Sequence, residues 1–95
     1  MTIQSYISAN ESRFFDELFS LIRIPSVSAQ PEHKGDMIAC ANRWQELLLA
    51  AGADRAEVMT TDGNPVVYAE KIVGEDLPTV LVYGHYDVMP AEPLE

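Results

Sequence analysis

Cysteine and basic side chains are scarce in this 95-residue sequence. It carries one cysteine and six Lys+Arg against 15 Asp+Glu, for a formal charge of −9. A lone Cys40 excludes an internal disulfide. Its setting in a helix-like stretch reads as a small buried apolar residue, which fits a reducing, cytoplasmic compartment. The acidic excess repels phosphate backbones and anionic headgroups, so neither nucleic acid nor a membrane surface is an expected partner. The opening Met1-Thr2-Ile3-Gln4-Ser5 lacks a basic n-region, and Glu11, Asp16 and Glu17 interrupt the apolar residues after it. Neither a secretory leader nor a membrane span is therefore expected. There is no internal repeat and no low-complexity tract. With 47% hydrophobic residues the chain is globular in composition, although one domain of this size has a small core and little reserve stability.

The apolar pattern gives two helices and then strands. Ile3, Ile7, Phe14, Leu18 and Ile22 fall at helical spacings, widened by Phe15 and Phe19, so a first amphipathic helix with core aromatics is predicted, ending near Arg23. Ser8 and Glu11 form a potential capping box for a shorter helix, which leaves one helix or a broken one open. Pro25 biases Ile24 toward extended backbone, and Ser26 and Ser28 in the loop that follows read as turn or capping serines, there being no base or nucleophile elbow nearby. His33 reads as an exposed loop residue without chemistry. Asp36 is the predicted N-cap of a second helix whose face is Met37, Ala41, Trp44, Leu48 and Ala51 and whose end is Gly52. Trp44 and Leu47 are predicted core. Nothing supports pairing Cys40 with either histidine as a thiol protease.

Beyond Gly52 the period becomes that of strands. Residues 55–60 and 66–72 flank the turn residues Asp62-Gly63-Asn64-Pro65 and predict a hairpin, and residues 79–83 predict a third, deeply placed strand. Short connections imply antiparallel neighbours. The expected class is α/β in layers, helix, helix and then strands, incomplete in this chain.

The third strand would run into Tyr83-Gly84-His85-Tyr86-Asp87. On extended backbone His85 and Asp87 point to one side and Tyr86 to the other, and Gly84 suits a turn or a close approach. An imidazole beside a carboxylate is how a metal ligand is commonly steered, the carboxylate fixing the tautomer and raising ligand basicity. The alternative is a strand-end histidine hydrogen-bonded to a carboxylate in an ordinary turn. Zinc takes about four ligands, about three from protein at a catalytic site. After the motif only Glu92 and Glu95 remain, in a Pro-rich tail, so the expectation is an N-terminal piece of a longer protein.

Four stretches together resemble the dinuclear zinc exopeptidases, the family of carnosine-type dipeptidases, carboxypeptidase G, aminoacylases, acetylornithine deacetylase and succinyl-diaminopimelate desuccinylase. Ile24-Pro25-Ser26-Val27-Ser28 is similar to the family's opening signature, and Trp44 with residues 47–52 to its second helix. Gly63-Asn64-Pro65-Val66-Val67-Tyr68-Ala69 resembles its hairpin, and Leu81-Val82-Tyr83-Gly84-His85-Tyr86-Asp87-Val88 its first metal-site motif. The resemblance implies the N-terminal part, residues 1–95, of a three-layer catalytic domain with a mixed sheet, the remaining catalytic segment and a lid domain being absent. It implies that His85 ligates one of two zinc ions, other divalent metals being possible, and that Asp87 is the catalytic-site residue orienting its ring. The other ligands, a bridging aspartate and a general-base glutamate would come later, as would the lid through which many members form homodimers. The implied reaction is hydrolysis of the amide bond of a dipeptide or short peptide, with removal of an N-acyl group from an amino acid as the second reading. A structural or interaction fragment without catalysis is the reading from a different class. Tyr83 and Tyr86 look more like the dipeptidase branch, whereas Met89 departs from the glutamine or valine common there.

Overall fold

Thr2 starts the first helix. In the computed structural model, which describes residues 1–90, the Thr2 hydroxyl accepts from the backbone N–H of Ser5 (3.0 Å) and the Ser5 hydroxyl accepts from that of Thr2 (2.9 Å). This reciprocal cap satisfies two of the backbone donors that a helix start leaves without partners. Helix α1 then runs unbroken over Ile3–Ile22, so the capping box is at Thr2 and Ser5 rather than at Ser8 and Glu11. The aromatics predicted to be core are not. No residue of α1 is buried, and Ile3, Ile7, Phe15, Leu18, Phe19 and Ile22 are all exposed. The stripe has the right period, but an apolar stripe is buried only where another element covers it, and α2 meets α1 over a small area that includes Arg43 Nε donating to Ser20 Oγ at 3.0 Å.

After Arg23 the chain turns through two tight three-residue turns, Ser26 N–H to Ile24 C=O and Val27 N–H to Pro25 C=O, each 2.8 Å. A 3-10 turn at Pro31–His33 leads into α2, Lys34–Ala50. The predicted N-cap Asp36 lies inside the first turn instead, its carboxylate 2.8 Å from Nδ1 of His33, where the partial positive charge of the helix start favours an anion. The predicted stop at Gly52 is borne out. Gly52 has φ +107, and Gly52 N–H to Leu49 C=O (3.1 Å) with Ala53 N–H to Leu48 C=O (3.0 Å) closes the helix in a Schellman motif.

Strands β1, Arg55–Met59, and β2, Val66–Glu70, pair antiparallel from Arg55↔Glu70 to Met59↔Val66. The turn between them is held by Thr61, whose hydroxyl donates to Asn64 C=O (2.7 Å) and accepts from Gly63 N–H (3.0 Å). Helix α2 lies against this hairpin, with Gln45 Nε2 donating to Ala56 C=O at 2.8 Å. The core is small: Val27, Met37, Cys40, Ala41 and Ala56, with Ser26 as its buried polar member. Trp44 and Leu47, predicted core, are half-buried.

The third strand at 79–83 is absent. Among the described residues the sheet has two strands, and Val80, Leu81, Val82 and Tyr83 are each more than four-fifths exposed. An apolar run becomes a strand only against a pairing edge and a covering face, and among the described residues this run is paired to neither strand of the hairpin and left uncovered. Two helices and an antiparallel pair are compatible with an α/β segment. The mixed sheet and third layer expected from the resemblance are not present among residues 1–90. No helix of the described residues is long and apolar enough to cross a membrane.

Candidate functional site

The segment around His85 is held by the loop that follows α1. Val88 N–H donates to Ser26 C=O at 2.9 Å, giving a parallel bridge between Val27 and Val88. The buried Ser26 hydroxyl donates to Tyr86 C=O at 3.0 Å, with the Cys40 thiol 4.0 Å from the same oxygen. The Tyr86 phenol reaches the other way and donates to Pro65 C=O at 2.6 Å. Loop, helix α2 and hairpin thus each touch the three-residue stretch from Tyr86 to Val88.

That anchoring gives the alternation anticipated for an extended chain. Tyr86 turns inward and is half-buried, while His85 and Asp87 meet on the other side, His85 Nδ1 lying 2.8 Å from Asp87 Oδ1. The second carboxylate oxygen, Oδ2, accepts from the Ser28 hydroxyl at 2.6 Å. The Ser28 hydroxyl and then His85 hold the Asp87 carboxyl below the usual carboxylate range, so it is an anion at neutral pH and can only accept. Nδ1 of His85 therefore carries the proton of this contact. Nε2 keeps its lone pair, on a side chain that is 77% exposed.

Two readings of the sequence change here. Ser26 and Ser28 are not plain turn serines, since both hydroxyls reach the motif from about sixty residues away in sequence. Ser26 meets a backbone carbonyl and Ser28 a side chain, so no local spacing in the sequence marks the link. Gly84 has neither a positive φ nor any atom within 4 Å of where a Cβ would stand, so neither the turn nor the close approach expected of it is seen. His33, expected to be an exposed loop residue, is half-buried and faces Asp36 in a local contact at the start of α2. Burial pushes the Cys40 thiol up, which keeps it protonated and unreactive. Burial likewise raises the Tyr86 phenol, leaving it a hydrogen-bond donor.

An open cavity of about 660 Å³ adjoins His85, walled by Trp44, Leu48, Pro65, Val66 and Tyr83. A smaller one of about 260 Å³ lies beside Ser28, with Gln30, Lys34 and Asn64 on its rim.

The donor set fits zinc in kind and falls short in number. An imidazole with one nitrogen bound to a carboxylate and the other open is the usual arrangement of a zinc-ligating histidine. Among the described residues, however, no group of three His, Cys, Asp or Glu side chains lies close enough to hold an ion. His85 is thus suited to be one ligand of a centre and cannot constitute one. Glu92 and Glu95 lie outside the described residues.

No protein-family model matches the chain, and no solved structure matches it. It is similar to the cysteinylglycine-S-conjugate dipeptidase of Corynebacterium striatum, at 36% identity over 87 residues. The aligned region covers 90% of this chain and 19% of that protein. The chain therefore spans about a fifth of the length of this curated relative, and the likeness is to a dipeptidase at that level.

Proposed function

We propose that this chain is the N-terminal part of a zinc-dependent peptidase that hydrolyses the amide bond of dipeptides or short peptides, with His85 as its first metal ligand. The observation that carries the reading is the 2.8 Å contact between His85 Nδ1 and Asp87 Oδ1, which leaves Nε2 open. The similarity to a dipeptidase supports the substrate class over N-acyl amino acids. The remaining ligands and the group that moves the proton would come from further chain, since one imidazole falls about two protein ligands short of a catalytic zinc site.

Within this reading the residues at hand do three things. Asp87 fixes the tautomer of His85 and places negative charge behind its ring. The bridge between Val27 and Val88 and the Ser26 hydroxyl hold the backbone carrying both. Tyr86, tied to Pro65, locks the motif to the hairpin. Bound zinc would supply Lewis acidity toward the scissile carbonyl and lower the pKa of a bound water.

The test uses the whole protein, with zinc content and dipeptide hydrolysis measured together. His85→Ala is expected to lose one zinc per chain and nearly all turnover. Asp87→Ala is expected to keep much of the metal at saturating zinc and lose roughly 10- to 100-fold in affinity or rate. Full zinc occupancy with near-normal turnover in His85→Ala would refute the assignment. Asp87→Ala as metal-free as His85→Ala would make Asp87 a ligand.

A further inference from the structure

Asp87 is partly exposed, and of the side-chain contacts to its carboxylate the one from His85 lies within its own stretch of chain while the one from Ser28 comes from outside it. The torsion that rotates a carboxylate is broad and soft, and either oxygen serves equally well as an acceptor. One group breaks that equivalence. Ser28 has a single hydroxyl proton, and it is directed at Oδ2 from 2.6 Å, which leaves Oδ1 facing His85 Nδ1. Ser28 is in turn held through the two residues before it: Val27 is buried and bridged to Val88, and Ser26 carries both the Val88 N–H contact and the hydroxyl contact to Tyr86 C=O.

We infer that Ser28 is a positioning residue for His85, acting through Asp87: by occupying Oδ2 it reserves Oδ1 for Nδ1–H and so holds the imidazole with Nε2 outward. The inference rests on the reading of His85 as a metal ligand only for its consequence, tighter metal binding, and not for the ring orientation itself. Without the Ser28 hydroxyl the carboxylate turns freely and water competes for both oxygens. The ring then samples the tautomer with the proton on Nε2, which cannot ligate.

The experiment uses the whole protein with ¹⁵N-labelled histidine, metal-free and at a pH where the imidazole is neutral, and reads the tautomer of His85 from its two nitrogen shifts. Zinc affinity of the same samples is measured by titration against a competing chelator. Ser28→Ala is expected to shift the His85 nitrogen resonances away from the pure Nδ1–H pattern and to weaken zinc binding about 10-fold, the low end of what loss of an outer partner costs. Ser28→Thr and Ser28→Val have the same shape and differ in the hydroxyl, which keeps the test decisive should the alanine variant unfold: threonine is expected to behave as wild type and valine as alanine. Wild-type tautomer and wild-type affinity in Ser28→Val would overturn the inference, as would a threonine variant no better than valine. A relaxed tautomer with unchanged zinc affinity would uphold Ser28 as the positioner of the ring and instead overturn the assignment of His85 as a ligand.

Discussion

Residues 80–83 and 85–88 are neighbours in one stretch of chain, yet the first group is exposed throughout and the second is tied to a loop some sixty residues earlier. Leu81 is 91% exposed. Tyr86, Asp87 and Val88 between them make four contacts to residues 26, 28 and 65. The more apolar half is the one left outside. Hydrophobicity along a strand is a demand for partners, whereas polar side chains bring theirs with them: two hydroxyls and a phenol suffice to fix His85 and Asp87 before any sheet surrounds them. The motif therefore does not depend on the strand that was expected to deliver it.

The contrast is broken most forcefully at Leu81. In the 95-residue chain alone, Leu81→Ala is expected to change stability by no more than about 0.5 kcal/mol, as for other exposed positions. In the longer protein proposed above, where residues 79–83 would lie inside a sheet, the same substitution is expected to cost about 2–5 kcal/mol, the usual loss for a buried leucine. Urea unfolding of both pairs measures the difference. A small loss in both would mean that the apolar run stays outside any sheet.

How much of this was legible depends on whether the signal was local. Gly52 was readable because a left-handed helix stop needs no partner, and the hairpin because Asp62-Gly63-Asn64-Pro65 fixes its own geometry. Helix α1 was readable in type but not in burial: the periodicity of Ile7, Phe14 and Leu18 says which face is apolar, not whether anything covers it. The third strand failed for the same reason. At the site, the pairing of His85 with Asp87 follows from two-residue alternation and was anticipated. The contribution of Ser28 was missed, because a contact across 59 positions leaves no local trace, and two serines after a proline look like any loop.

The anchored half is sharpened by removing its ties one at a time. Ser26→Ala deletes a buried hydroxyl and leaves Tyr86 C=O with only a distant thiol, for an expected loss of about 1–3 kcal/mol. Tyr86→Phe removes the donor to Pro65 C=O, at a half-buried position that water can reach, and is expected to cost about 0.5–1.5 kcal/mol. Thermal or urea unfolding of the two variants gives the order. If Tyr86→Phe proved the more damaging, the hairpin rather than the loop after α1 would be the main support of the motif.

The smallest effect concerns where the exposed half begins. Asp54 Oδ2 accepts from Ile72 N–H at 2.7 Å and Oδ1 meets Lys71 Nζ at 3.3 Å, the last side-chain tether before residues 73–83. The Ile72 N–H and then Lys71 hold the Asp54 carboxyl below its ordinary range. A carboxylate whose folded pKa is depressed contributes stability that is fully present above the unfolded value, about 3.9, and is lost as pH falls through the folded one. The Ile72 amide resonance is therefore expected to stay constant from neutral pH down to about 4 and to move only below that. In Asp54→Asn, which keeps an acceptor oxygen but not the charge, the movement should vanish. An Ile72 amide that titrates at or above about 3.9 would show that this tether is not formed in solution, and the untethered region would then begin at the end of β2 itself.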